Sequence, residues 1–119
     1  MSREYAYKAK YLGGHSAFPK SMDVRLILLP DALEIPQFPE KIPYSKIKNV
    51  QGVTQEKLTA MRLLFLGVLA FALKKKKLYM ILTYEDAAGV EQNPVFDVEK
   101  IEEVQPTIYR RMTAAKSTQ

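Results

Sequence analysis

Residues 61–77 read MRLLFLGVLAFALKKKK. The eleven residues 63–73 carry no polar side chain, and four lysines follow at once. The run has no polar face at any period, so something must cover it all round. It is too short to cross a bilayer, which takes about 20 residues as a helix. The lysines add a second constraint. In a strand, Lys75 and Lys77 would point to one face and Lys74 and Lys76 to the other, so the segment reaches solvent on both sides. Two arrangements satisfy both constraints. In one, residues 58–73 fold against the chain's own sheet as a short helix, or as a strand bent at Gly67, covered by the domain or by a second copy. In the other, they project into the interfacial layer of a membrane, with Lys74–Lys77 on anionic headgroups. Burial is the more ordinary outcome. Both remain open at this point.

The flanking sequence is mostly β. Residues 4–12, EYAYKAKYL, alternate: Tyr5, Tyr7, Ala9 and Tyr11 share one face and Lys8 and Lys10 the other. Gly13-Gly14 ends this strand, and 15–21 form a loop. Residues 22–29 make a second strand, 30–32 a turn and 33–35 the returning strand. Prolines 36, 39 and 43 then allow at most an edge strand. Residues 44–51 suggest another strand, although Tyr44 and Val50 break its parity. Residues 78–84, LYMILTY, are apolar on both faces and read as a central strand. A loop over 85–92 leads to a partner strand at 94–98. The period then changes. Ile101, Val104, Ile108 and Met112 mark one face of a helix over about 98–115, which Pro106 should kink or split. Strands in succession and then a helix predict a mainly β, α+β fold in a single domain over 1–119.

Charge and composition exclude much chemistry. The net charge is +5, concentrated in 51–83, where six basic groups face only Glu56. A basic cluster beside an apolar run points to a membrane surface at least as strongly as to nucleic acid. With no cysteine there is no disulfide, thiolate metal site or cysteine nucleophile. The polar start, MSREYAYKAK, has no apolar core of a secretion signal, so a cytoplasmic location is expected. His15 is the only histidine, and no strand–serine–helix elbow accompanies it, so catalysis is not expected. Its ordinary role would be a local turn contact. Beside Gly13-Gly14 it could instead meet an anion. The acidic residues Asp97, Glu99, Glu102 and Glu103 suit a helix start better than a metal. Neither metal nor cofactor is expected, and there is no phosphate loop.

The phrases KAKYLGGH at 8–15, Pro19-Lys20, IPYSKIKNV at 42–50, LLFLGVLAFALKKKK at 63–77, LYMILTYED at 78–86 and PVFDV at 94–98 occur in an order that resembles a bacterial and archaeal pleckstrin-homology-like (PH-like, GRAM-like) family. The resemblance implies a two-sheet antiparallel β-barrel or sandwich of about seven strands with a C-terminal helix. It also implies a binding module, not an enzyme. Relatives often carry an extra short domain or zinc ribbon, and neither is expected within residues 1–119. Lys8, Lys10, His15 and Lys20 fall where the family's lipid-binding members carry basic residues, matching in charge but not in motif. The expected anionic-surface residues are therefore Lys8, Lys10, His15, Lys20, Lys74, Lys75, Lys76 and Lys77. The expected apolar interaction surface is Leu63, Leu64, Phe65, Leu66, Val68, Leu69, Phe71 and Leu73. The expected function is a membrane-proximal adaptor, peripheral at the inner membrane surface, that binds anionic lipid, protein partners or its own copies. The alternative is a homo-oligomeric or protein-binding scaffold with no lipid role. Nucleic acid and a small-molecule substrate are not expected.

Overall fold

The computed structural model describes residues 5–61, 74 and 76–117. Strand β1 (Tyr5–Gly13) lies at the centre of the sheet. It pairs along its length with β2 (Met22–Leu28), from Tyr5 opposite Leu28 to Tyr11 opposite Met22. On its other side it pairs with β8 (Val95–Val98), Tyr11 opposite Phe96. Beyond β2 come the short strands β3 (Ala32–Glu34) and β4 (Ile42–Pro43). Pro36 and Pro39 fall between them, and Pro43 sits in the edge strand, where its missing N–H breaks no ladder. Beyond β8 come β6 (Leu78–Glu85) and β5 (Ile47–Thr54), and the two-residue β7 (Glu91–Gln92) pairs with the end of β6. Every pairing is antiparallel, and the path β4-β3-β2-β1-β8-β6-β5 forms a curled half-barrel of seven strands. The expected mainly β fold with a C-terminal helix is therefore present. All seven strands of this path come from the described residues, and the expected element over 63–73 lies outside them.

The parity break at 44–51 has two causes. Tyr44–Lys46 form a 3₁₀ turn, so the strand starts at Ile47 and runs on to Thr54. A register shift between Ile47 and Asn49 then inserts one extra residue, so Ile47 and Val50 both reach the inner cluster at a spacing of three, while Val53 is buried on the opposite face. Gly14 marks a second close approach. Its φ of +102° is open to glycine, and a β-carbon there would collide with the Asn93 carbonyl.

The sheet is apolar on both sides at its centre. Tyr11, Leu26, Met80, Leu82 and Phe96 lead the inner cluster. Leu12, Val53, Leu58, Tyr79, Ile81 and Val95 form a smaller outer cluster. Helix α1 (Gln55–Met61) leaves β5 directly and contributes Leu58 and Met61 to this outer face.

The edges β4 and β5 are joined in sequence by the 3₁₀ turn but are not paired with each other. Helix α2 (Ile101–Ser117) packs on β5 and on that turn, burying Val104, Ile108 and Met112. It begins and ends slightly later than the periodicity suggests. Pro106 does not split it. The proline stands in the second turn and removes a single bond, the one that the Glu102 carbonyl would accept. Arg111 fastens the helix: one guanidinium nitrogen donates to the Leu28 and Leu29 carbonyls, at 3.2 and 2.9 Å, and to the Tyr44 hydroxyl at 3.1 Å. Tyr44 in turn donates to the Leu29 carbonyl at 2.7 Å. Burial raises the Tyr44 pKa, and the hydrogen bond from Arg111 works against that rise.

Arg111→Ala strips a donor from three acceptors and should lower stability by about 2–3 kcal/mol in urea unfolding. Arg110→Ala, exposed one residue earlier, should cost under about 0.5 kcal/mol. Gly14→Ala should cost more than about 2 kcal/mol by the same measurement, from combined strain and collision.

Candidate functional site

The expected basic residues divide between two places. Lys8 and Lys10 are exposed on the outer face of β1. Lys10 stands opposite Asp23 of β2 on one side and Asp97 of β8 on the other. Lys77 reaches the same Asp97 at 2.9 Å. The fold thus brings Lys10 and Lys77 together, but around a carboxylate. Lys8 lies opposite Arg25, a like-charge pairing, and its backbone N–H donates to the Glu99 carboxylate at 3.3 Å. This part of the face is a chequered surface of near balance, less basic than the run of lysines suggests.

Lys74 and Lys76 are different. Both are exposed, and among the described residues neither forms an ion pair. The Lys74 backbone N–H donates to the Tyr79 hydroxyl at 2.7 Å, and Lys76 takes a φ of +63° in the turn leading into β6. Tyr79 belongs to the outer cluster, against which Met61 also packs. The residues on either side of 62–73 are therefore both rooted at one apolar patch on the outer face. Lys75, and with it the apolar positions Leu63, Leu64, Phe65, Leu66, Val68, Leu69, Phe71 and Leu73, lies outside the described residues. Lys20 is exposed in the loop before β2.

His15 lies at one end of the barrel among aromatic rings. Its ring is 4.9 Å from Phe18 and 5.2 Å from Phe38, which stack on each other at 4.9 Å. Its Nδ1 accepts from the Ala17 N–H at 3.0 Å, and its backbone N–H donates to the Tyr11 hydroxyl at 2.9 Å. That hydroxyl donates to the Phe18 carbonyl at 2.6 Å. The histidine is thus a local turn residue. The charges it senses are the carboxylates of Asp86 and Glu40, which do not favour an anion. Burial lowers its pKa, and the two carboxylates offset part of the drop. Beside it, buried Gln92 donates to Ser16 Oγ and to Asp86, and accepts from the Ser16 N–H. Asp86 also accepts from the Ala88 and Val90 N–H groups. The Gln92 bond, then these amides, hold its carboxyl below the ordinary carboxylate range. The network therefore staples loops together, and among the described residues no group of three His, Asp or Glu side chains is placed to hold a metal.

Two contributors escaped the sequence reading. Helix α1 had a readable signal: Thr54 caps it, accepting from the Lys57 N–H at 3.4 Å, and Glu56 follows in its first turn. Arg111 had none, because nothing in its neighbours marks which carbonyls it will meet. No protein-family model, curated protein or solved structure matches the chain.

The depressed His15 pKa has a definite sign. The unfolded chain takes up the proton first, near its ordinary value of 6.5, so stability present above that pH is lost as pH falls through the lower folded value. The urea midpoint should fall from pH 7.5 to 5, and His15→Phe should flatten that step. An equally steep fall in the variant would assign the step to other groups.

Proposed function

We propose that the protein is a non-enzymatic, PH-like binding module that attaches peripherally to anionic membrane surfaces from the cytoplasmic side. The observation that carries this reading is the pair of exposed lysines, 74 and 76, which form no ion pair among the described residues and stand by the outer apolar patch to which Met61 and Tyr79, on either side of the apolar sequence, both belong. Apolar residues next to free cations match the chemistry of a headgroup–acyl boundary. Lys8, Lys10 and Lys77 contribute less, because Asp23, Asp97 and Glu99 lie among them. The curled half-barrel with its C-terminal helix is consistent with a PH-like module. Among the described residues no helix is long and apolar enough to cross a membrane, so the attachment proposed is to one leaflet.

The test is cosedimentation with phosphatidylserine-containing vesicles, compared with pure phosphatidylcholine. Binding should require the anionic lipid and weaken from about 0.1 M to about 1 M salt, as the screening length falls from about 10 to about 3 Å. Each lysine near the surface is worth about 1 kcal/mol, so the double variant Lys74→Ala/Lys76→Ala should bind about thirtyfold more weakly. Absence of binding at low salt overturns the reading. A stable dimer under those conditions would favour a self-associating scaffold instead.

A further inference from the structure

An open groove of about 480 Å³ runs between α2 and the strands β1 and β2. Its apolar lining is Tyr7, Leu28 and Pro106. Along the helix it carries Glu102 and Glu103 at one end and Arg110 and Arg111 at the other, with Thr107 between them. Glu103, Thr107 and Arg110 are spaced by four and three, so they share one face of the helix.

Two of these four charges are already engaged. Glu103 accepts from the Tyr7 hydroxyl at 3.3 Å, and Arg111 is bound to the Leu28 and Leu29 carbonyls and Tyr44. Glu102 and Arg110 are exposed and form no ion pair among the described residues; Arg110 donates only to Thr107 Oγ1, at 3.3 Å. The groove is therefore dipolar, negative towards the helix start and positive about two turns on. Pro106 adds a third feature. A proline inside a helix is costly, and it leaves the Glu102 carbonyl without its ordinary helical donor, at the groove itself.

We infer that this groove binds an extended peptide segment of a partner protein, carrying one basic and one acidic residue four positions apart. The basic side chain pairs with Glu102, the acidic one with Arg110, and a peptide N–H is offered to the Glu102 carbonyl. The spacing follows from geometry. Eight helical residues at 1.5 Å rise put Glu102 and Arg110 about 12 Å apart along the axis. An extended chain returns side chains to one face every second residue, so four residues at 3.4 Å each, about 14 Å, give the nearest match. This surface lies on α2 and is independent of Lys74 and Lys76.

Exposed charge contacts are individually worth up to about fivefold in affinity, so a short peptide binds weakly and is best followed by NMR. The nitrogen-15-labelled full chain is titrated with the capped heptapeptide Ala-Lys-Ala-Ala-Ala-Glu-Ala, and with versions carrying two lysines or two glutamates at the same positions. The mixed-charge peptide should shift the amides of Tyr7, Thr107 and Arg110 and bind up to about fivefold tighter than either like-charge version. Arg110→Glu makes both ends of the groove acidic and should reverse the order, the two-lysine peptide then binding best. An unchanged circular dichroism spectrum for that variant shows that it folds. Absence of shifts up to about 10 mM peptide, equal binding of all three, or an unreversed order in the variant overturns the inference. So do shifts at these amides that phosphatidylserine vesicles produce and the peptides do not, which would make the groove a lipid surface.

Discussion

The sheet's two edge strands are neighbours in the chain but not in the hydrogen-bond ladder, and the rest of the fold depends on how that opening is closed. Left open, it would expose the inner apolar cluster to water. Helix α2 fills it with Val104, Ile108 and Met112, but apolar packing is non-directional and does not by itself fix where a helix lies. Arg111 supplies the direction. Its guanidinium meets the end of β2 and the 3₁₀ turn at once, because Leu28, Leu29 and Tyr44 converge on it. A planar donor with several fixed N–H directions suits this role, and a lysine would not hold the same geometry.

The same closure separates the protein's two faces of interest. With α2 on the inner side, the outer apolar cluster is met by Leu58 and Met61 of α1. Charge is distributed across that outer face in a way the net value of +5 conceals. Between β2 and β8 the cations stand next to Asp23, Asp97 and Glu99, and opposite charges on neighbouring strands stabilise the ladder as much as they attract anything from outside. At the turn before β6, no carboxylate among the described residues plays that part for Lys74 and Lys76.

Much of the fold was legible where a period was clean. Tyr7, Ala9 and Tyr11 alternate into the core as their spacing suggests, and Ile101, Val104, Ile108 and Met112 turn one face of α2 inward. The bulge in β5 was not, because one inserted residue shifts the parity of everything after it and resembles a broken pattern. The barrel-end cluster was legible only in part. His15 was visible as a turn residue, while its neighbours Asp86 and Gln92 come from far along the chain and are brought in by the pairing of β7 with β6.

The sequence by itself determined the order of strands, the inward stripe of the last helix and the need for an apolar run of eleven residues to find cover. These are local properties, set by side-chain period and by the reach of a few residues. Only the tertiary structure decided which charges cancel, since Lys10 meets Asp23 and Asp97 through two different strand pairings. It alone decided that Arg111 would tie the helix to β2 while Arg110, the next residue, stays exposed. Coulombic and hydrogen-bond partners depend on distances of a few ångströms between residues remote in sequence, and no local pattern encodes those distances.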